Sequence, residues 1–207
     1  MDEAWCRWGK NMKLLKLVAV GALFAVVTAT GAQANLLTNG SFETGDFTGW
    51  TGSNNFEDTE VVTGPFYVYT VAEDGTHYAV LGPVGADGAL SQTVSDTSGQ
   101  VLNLTYWLAG VGDSPADFDA TWNGSVISGS SETNYNSGGN YTEFSFDVAA
   151  TGSDTLAFNF RDDPAYMAFD NVSLVSTTSV PEPFTLSLFG AGLAGACAMR
   201  RRKKKAT

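Results

Sequence analysis

The middle of the chain alternates apolar and polar residues in short runs, which glycine, asparagine, aspartate and serine separate. Such runs cover residues 102–108, 118–122, 144–148 and 156–160. A period of two places successive side chains on opposite faces of a strand, so each run predicts a strand with one buried face. No window has the apolar spacing of an amphipathic helix.

Shorter apolar runs complete the predicted set of strands. They cover residues 66–71, 77–81, 90–94 and 168–175, while Asn123-Gly124 predicts a tight turn. Residues 128–140 are rich in glycine, serine and asparagine, which predicts a long loop. About eight or nine short strands at this spacing are typical of a two-sheet sandwich, so the predicted fold is all-β.

The first 34 residues have the pattern of a signal peptide. A positive segment begins at Met12, an apolar core covers residues 17–28, and Ala32-Gln33-Ala34 forms a cleavage site. The mature chain is therefore expected to begin at Asn35. The acidic residues Asp2 and Glu3 are unusual for such a signal, so Met12 is the expected true start.

The other end has a different apolar pattern. Val180-Pro181-Glu182-Pro183 precedes an apolar stretch at 184–199, and the run Arg200-Arg201-Arg202-Lys203-Lys204-Lys205 follows it. A helix over that stretch would measure about 24 Å, short of the ~30 Å hydrocarbon layer, so it predicts a short transmembrane helix. The basic run marks the cytoplasmic side. The expected organisation is a sandwich at 35–175, a linker at 176–180 and a tail at 181–205.

The order of elements in this tail resembles the PEP-CTERM class of sorting signals. That resemblance implies recognition and processing by an exosortase-type enzyme, with Val180, Pro181, Glu182, Pro183, Arg200, Arg201 and Arg202 as the motif. It also implies a Gram-negative bacterium, transient anchoring in the inner membrane, and a surface or matrix location with extracellular polysaccharide. An ordinary C-terminal membrane anchor is the alternative.

Charge separates the domain from its flanks. Of the 22 acidic residues only Asp2, Glu3 and Glu182 lie outside residues 35–179, and of the 11 basic residues only Arg161 lies inside, which gives 19 acids, one base and a net charge of −18. Such a surface repels nucleic acid and suits divalent cations. Both cysteines, Cys6 and Cys197, lie in the flanks, so no disulfide crosslinks the domain.

The two ends of the domain carry a second motif. The domain opens with Asn39-Gly40-Ser41-Phe42-Glu43 and closes with Asp170-Asn171-Val172-Ser173-Leu174. This pairing resembles the galactose-binding-like jelly roll, which includes carbohydrate-binding modules. The resemblance implies a structural Ca²⁺ held by the Glu43 and Asp170 carboxylates, with carbonyls near Ser41 and before His77. The alternative is that Glu43 and Asp170 are ordinary turn and edge-strand acids.

The same resemblance directs attention to sugar-binding residues. Trp107 opposes the apolar face of its predicted strand, and Asn159 and Arg161 similarly oppose the apolar face of theirs. These three are the predicted ligand contacts, and Tyr67 and Tyr69 are further candidates. Alternatively, a loop covers Trp107, and Arg161 neutralises the neighbouring acids.

Nucleophile, metalloprotease and phosphate-loop motifs are absent from the sequence. The domain has one histidine, His77, which the pattern places in a strand. A carboxylate pair remains open as a catalytic device, because the domain has many acids. The predicted function is therefore non-catalytic: an exported, surface-sorted protein of the extracellular polysaccharide or biofilm matrix that binds carbohydrate. The alternative is a purely structural matrix protein.

Overall fold

The computed structural model of the protein describes residues 33–69 and 71–177. The predicted sorting tail, its helix at 184–199 and all but the last two residues of the predicted signal peptide lie outside the described residues. Within the described ranges the chain forms ten strands: β1 (Thr51–Asn54), β2 (Thr59–Thr63), β3 (His77–Leu81), β4 (Gly88–Ser95), β5 (Val101–Ala109), β6 (Ala116–Trp122), β7 (Ser125–Val126), β8 (Thr142–Ala149), β9 (Ser153–Asp162) and β10 (Met167–Ser176).

The strands form two five-stranded sheets. The first sheet has the order β1-β4-β9-β6-β7 and the second has the order β2-β3-β10-β5-β8. Each neighbouring pair is antiparallel. The all-β, two-sheet prediction is therefore confirmed. Strand β10 extends one residue beyond the expected end of the domain, to Ser176.

The core lies between the sheets, where the alternating runs turn their apolar sides. In β9, Leu156, Phe158 and Phe160 are buried. The Phe158 ring lies 5.3 Å from Tyr106 of β5 and 4.8 Å from Phe169 of β10. Phe158 therefore joins the two sheets, and burial of such aromatic side chains is the main favourable contribution to folding.

The two ends of the described chain lie together. The Leu36 N–H donates to the Leu174 carbonyl at 2.9 Å, so the first segment runs beside β10. At the other terminus the Thr177 N–H donates to the carbonyl of Val101, the first residue of β5, at 3.0 Å. We call this side of the sandwich the exit end. The opposite side, where β5 finishes at Ala109, is the loop end.

The long connection between β2 and β3 folds back over the outer face of the second sheet. Tyr69 in this connection is buried, and its hydroxyl donates to the carbonyls of Tyr166 at 2.5 Å and Ala109 at 3.2 Å. It packs with buried Tyr78 and Val80 in a second hydrophobic cluster. The outer face of an antiparallel sheet commonly meets water, but here the connection covers part of it. The contacts of Tyr69 hold the connection in place at the loop end.

The described residues of the run at 66–71 do not form the predicted strand. Phe66 and Tyr69 exchange two backbone hydrogen bonds of 2.9 Å, so the chain reverses there in a tight turn. The run is apolar, but Gly64-Pro65 precedes it and Tyr67 adopts a left-handed conformation with φ of 52°. Strands β1, β2 and β7 were not predicted. They are two to five residues long, and β1 contains no large apolar residue.

Between residues 33 and 177, apart from the omitted residue 70, no helix has the length and apolarity needed to cross a membrane.

Candidate functional site

At the loop end of the second sheet, an aromatic side chain lies over a glycine. Extending the register of β2, β3 and β10 by one residue places Asp58, Gly82 and Tyr166 in one row, and the Gly82 N–H donates to the Asp58 carbonyl at 3.0 Å. A Cβ atom on Gly82 would lie 2.4 Å from Cδ1 of Tyr166. The glycine therefore makes room for the Tyr166 ring.

Two further rings gather on Tyr166. The Phe66 ring meets it edge-on with centroids 5.0 Å apart, and the Tyr67 ring lies 6.1 Å away at 57°. Tyr67 is 58% exposed although it is a large apolar residue. We call Phe66, Tyr67 and Tyr166 the aromatic platform.

The backbone holds Tyr67 outward at a cost. A positive φ is rare for a bulky residue and costs of order 1–3 kcal/mol, so it persists only where surrounding contacts impose it. Here the Phe66–Tyr69 turn and the anchored Tyr69 hydroxyl impose it. The structure therefore keeps one tyrosine ring in solvent on a fixed base.

Trp107 lies on the outer face of the second sheet, as its alternation predicted, and it is half-buried. Its direct neighbours across the strands are Asp170 of β10 and Glu143 of β8. Asn159 and Arg161 lie in β9 of the first sheet, on the opposite side of the sandwich. The three predicted ligand residues therefore cannot form one binding site.

Asn159 lies in a groove on the outer face of the first sheet. The groove has a volume of about 210 Å³ and its lining includes the acidic residues Asp87, Asp117, Asp119 and Glu132. The Asn159 amide donates to Oδ1 of Asp119 at 2.9 Å, so one of its polar groups is already engaged. The platform residues do not line this groove.

Arg161 is held by a neighbouring acid. Its Nε donates to Oδ2 of Asp163 at 3.0 Å, and its Nη2 forms a second bond to the same oxygen. Asp117 lies opposite Arg161 across the strand pair. Hydrogen bonding to Arg161 lowers the pKa of Asp163. The arrangement is that of the alternative interpretation, in which Arg161 neutralises local acids.

Glu43 and Asp170, the predicted calcium ligands, hold the same stretch of backbone. Oε1 of Glu43 accepts from the N–H groups of Thr76 and His77, both at 2.7 Å. Oδ2 of Asp170 accepts from the N–H groups of Glu73 and Asp74 at 2.8 and 3.0 Å. The stretch 73–77 is thus tied to the first segment and to the last strand, and Ser41 lies two residues before Glu43.

These two carboxylates differ in their environment. The bonds from the His77 and Thr76 backbone lower the pKa of the partly exposed Glu43 to about 2. Asp170 is fully buried, and desolvation raises its pKa to about 7 although three backbone N–H groups donate to it. A cation beside Asp170 would offset the cost of desolvating its carboxylate. Carboxylate oxygens are ligands that calcium prefers, so the two acids fit a calcium ion chemically.

Side chains alone would not complete the ligand shell of a calcium ion at this place. Among residues 33–69 and 71–177, no group of three or more His, Cys, Asp or Glu side chains converges to hold a metal. A calcium ion at Glu43 and Asp170 would therefore draw the rest of its six to eight oxygens from backbone carbonyls and water.

Other acids are buried without a described role. Asp162, at the end of β9, is fully buried, and neither of its carboxylate oxygens has a hydrogen-bond partner. Desolvation raises its pKa to about 7. Asp154, at the start of the same strand, is equally buried but accepts bonds from Asn123 and Thr151, and its pKa is lowered.

His77 is half-buried at the start of β3, as predicted.

The sequence did not single out Tyr166. It follows Asp163-Pro164 in what looked like a simple strand connection, and its position over Gly82 depends on the pairing of β3 with β10. Tyr67 was among the further candidates, but its exposure follows from a turn in a segment that was predicted to be a strand.

Comparison with solved structures identifies the fold. TmCBM61, solved in complex with β-1,4-galactotriose, has a TM-score of 0.55 and 18% identity over 69% of this chain and 99% of its own. The CBM22-1–CBM22-2 tandem domain of Xyn10C from Paenibacillus barcinonensis gives a TM-score of 0.50 and 17% identity, over 74% of this chain and 50% of its own. The domain therefore has the jelly-roll fold of carbohydrate-binding modules, as predicted.

An enzyme fragment shares the same fold. The enzymatically active domain of tailspike protein 4 from bacteriophage CBA120 has a TM-score of 0.52 and 19% identity, over 69% of this chain and 21% of its own. The fold alone therefore does not separate binding from catalysis.

The C-terminal tail matches a known sorting motif. Residues 179–203 match the family model of the PEP-CTERM protein-sorting motif, which confirms the sequence prediction. The motif implies export, transient anchoring through the tail and processing by an exosortase-type enzyme. No curated protein matches the chain.

Proposed function

We propose that this chain is an exported, non-catalytic protein of the extracellular polysaccharide or biofilm matrix of a Gram-negative bacterium, and that its jelly roll binds carbohydrate. The observation that carries the proposal is the aromatic platform, in which Tyr67 is 58% exposed on a base formed by Phe66 and Tyr166. A pyranose presents an apolar C–H face that packs on such a ring, while its hydroxyls stay in water or bond to polar neighbours.

The platform is better suited to this role than the sequence candidates. Trp107 is half-buried between two acids, and Arg161 is committed to Asp163. A ring that is already exposed loses little on binding, because it needs no rearrangement and few rotamers are frozen. Trp107 and Asn159 remain predicted contacts of secondary sites on the two outer faces.

Calorimetric titration of residues 35–179 tests the proposal. Every described strand and both hydrophobic clusters lie within these residues, so the shortened chain keeps its whole core. The probes are β-1,4-galactotriose, other soluble β-1,4-linked oligosaccharides, and polysaccharide purified from the producing bacterium. Saturable heat is expected, and Tyr67→Ala is expected to weaken binding at least tenfold because it removes the exposed ring.

Trp107→Ala is the matched control, since it removes an aromatic ring from the outer face of the second sheet, away from the platform. It is expected to leave the affinity of the platform unchanged and to affect at most the weaker secondary site. Loss of binding in Trp107→Ala with retention in Tyr67→Ala would move the site to the centre of the second sheet. Absence of heat with every probe, from a folded domain, would favour the purely structural matrix protein.

A structural calcium ion is part of the proposal. Glu43 and Asp170 would hold it with backbone oxygens, and it would stabilise the folded state because it binds there and not to the unfolded chain. We expect millimolar Ca²⁺ to raise the melting temperature by several degrees relative to chelator, and Mg²⁺ to do less because it needs a tighter octahedral shell. An unchanged melting temperature in chelator would exclude the ion.

A further inference from the structure

We propose that the aromatic platform discriminates ligands by charge: it takes amine-bearing and neutral sugars and excludes sugars that carry carboxylates. This inference rests on the proposed carbohydrate binding and adds the class of substrate. Two observations support the inference. Acidic side chains lie beside the three rings, and no free basic side chain of the described residues lies near them.

Positive charge is scarce across the described residues. Only Arg161 and His77 are basic in the described part of the chain. Arg161 is bonded to Asp163, and His77 lies 3.4 Å from Oε2 of Glu43. Carboxylate-bearing polysaccharides are usually recognised by arginine and lysine, which form charge-assisted hydrogen bonds to the carboxylate. The described surface offers no such free side chain.

Negative charge, in contrast, lies beside the platform. Asp58 shares a row with Gly82 and Tyr166, and the Tyr166 ring fills the space over the glycine between them. Glu60 follows Asp58 by two residues and lies in β2. It is opposite Val80 and on the same outer face as Ala168. Both acids are exposed. After desolvation, they are the charges that raise the pKa of the Tyr166 hydroxyl, in agreement with their proximity.

This combination of rings and acids favours a cation. An ammonium group is attracted by the face of a tyrosine ring and by a carboxylate within several ångströms, and a uronate is repelled by the same carboxylate. Surface charges at this range are screened with a Debye length of about 8 Å at physiological salt. Discrimination should therefore be strongest at low ionic strength and should fade when salt is added.

Three oligosaccharides of equal length and β-1,4 linkage, built from glucosamine, glucose and glucuronic acid, test the inference. They are titrated into residues 35–179 at about pH 6, where ordinary carboxylates are ionised. At about 20 mM salt we expect the glucosamine oligomer to bind about tenfold more tightly than the glucose oligomer, and the glucuronic acid oligomer not to bind. At about 500 mM salt the first difference should shrink to about twofold.

Glu60→Gln is the decisive variant, because it removes one charge beside the platform and leaves the rings. It should lower the preference for glucosamine over glucose about threefold without changing glucose binding. Asp147→Asn, which removes one exposed charge from β8 near the exit end, is the control and should leave the preference unchanged.

The outcomes separate this inference from the function on which it rests. Glucuronic acid binding equal to glucose binding at low salt overturns charge selection and leaves carbohydrate binding intact. An equal effect of Glu60→Gln and Asp147→Asn overturns the local origin in favour of the overall charge. Failure of all three sugars to bind the wild-type domain overturns both proposals.

Discussion

Replacing Asp162 by asparagine is expected to raise the free energy of unfolding by about 2 to 4 kcal/mol at about pH 8, and by little at about pH 4. The carboxylate is fully buried, and neither of its oxygens has a hydrogen-bond partner within the described structure. An ionised group in that position is penalised because it leaves water and gains no donor in return. Asparagine keeps the shape and removes the charge.

The pH dependence has a definite sign. The pKa of Asp162 is raised to about 7 in the folded protein, mainly by desolvation and then by Asp113 and Asp163. The folded state therefore holds a proton that the unfolded state releases above about pH 4. The associated stability is fully present below that pH and is lost as the pH rises to about 7. Urea unfolding of both proteins at several pH values measures it.

Asp154 provides a matched control with the opposite sign. It is a fully buried aspartate of the same strand, but the Asn123 amide and the Thr151 N–H and hydroxyl donate to it. Asp154→Asn is expected to destabilise the domain at neutral pH, because it replaces an acceptor of charge-assisted bonds. If both substitutions change stability in the same direction at about pH 8, hydrogen bonding does not account for the difference between the two sites.

Phe158→Ala is expected to destabilise the domain by about 3 to 5 kcal/mol, a large share of the stability of a domain this size. The ring contacts Tyr106 and Phe169 of the second sheet and Phe118 of the first. Its removal leaves a cavity where the two sheets meet, and close packing prevents the surroundings from filling it. Guanidinium unfolding monitored by tryptophan fluorescence measures the loss.

Phe146→Ala gives the comparison for this second result. Phe146 is also an aromatic residue of a strand, in β8, but it is only half-buried at the edge of the core. Its truncation should cost clearly less than that of Phe158, since less apolar surface returns to water. An equal decrease in the free energy of unfolding for both variants would mean that packing between the two sheets contributes no more to stability than packing at the edge of the core.

The regular strands could be predicted because their alternation reflects burial. Strand β9 buries Leu156, Phe158 and Phe160 and leaves the residues between them half-buried, so period two was sufficient to locate it. The apolar run at 66–71 has no such alternation, and the strand predicted there was wrong because residues 66–69 form a turn. Strand β1 has nothing to bury and gave no signal.

The site was harder to predict because it depends on which strands are neighbours. Alternation correctly turned Trp107 and Asn159 outward, but it carries no information on which sheet each strand joins. The two residues consequently lie on opposite faces of the sandwich. The Tyr166 ring depends on Gly82, which is distant in sequence and adjacent only through the pairing of β3 with β10. The tail was predictable because its motif is contiguous.

Both ends of the described chain lie at the exit end, on the far side of the domain from the aromatic platform. The nine-residue strand β5 begins beside Thr177 and finishes at Ala109, beside the anchored Tyr69. At ~3.3 Å per residue it places the rings about 26 Å beyond the point where the chain leaves the sandwich. The platform therefore lies at the end of the domain farthest from Thr177, the last described residue before the sorting motif, and removal of the tail would change none of the residues that surround the rings.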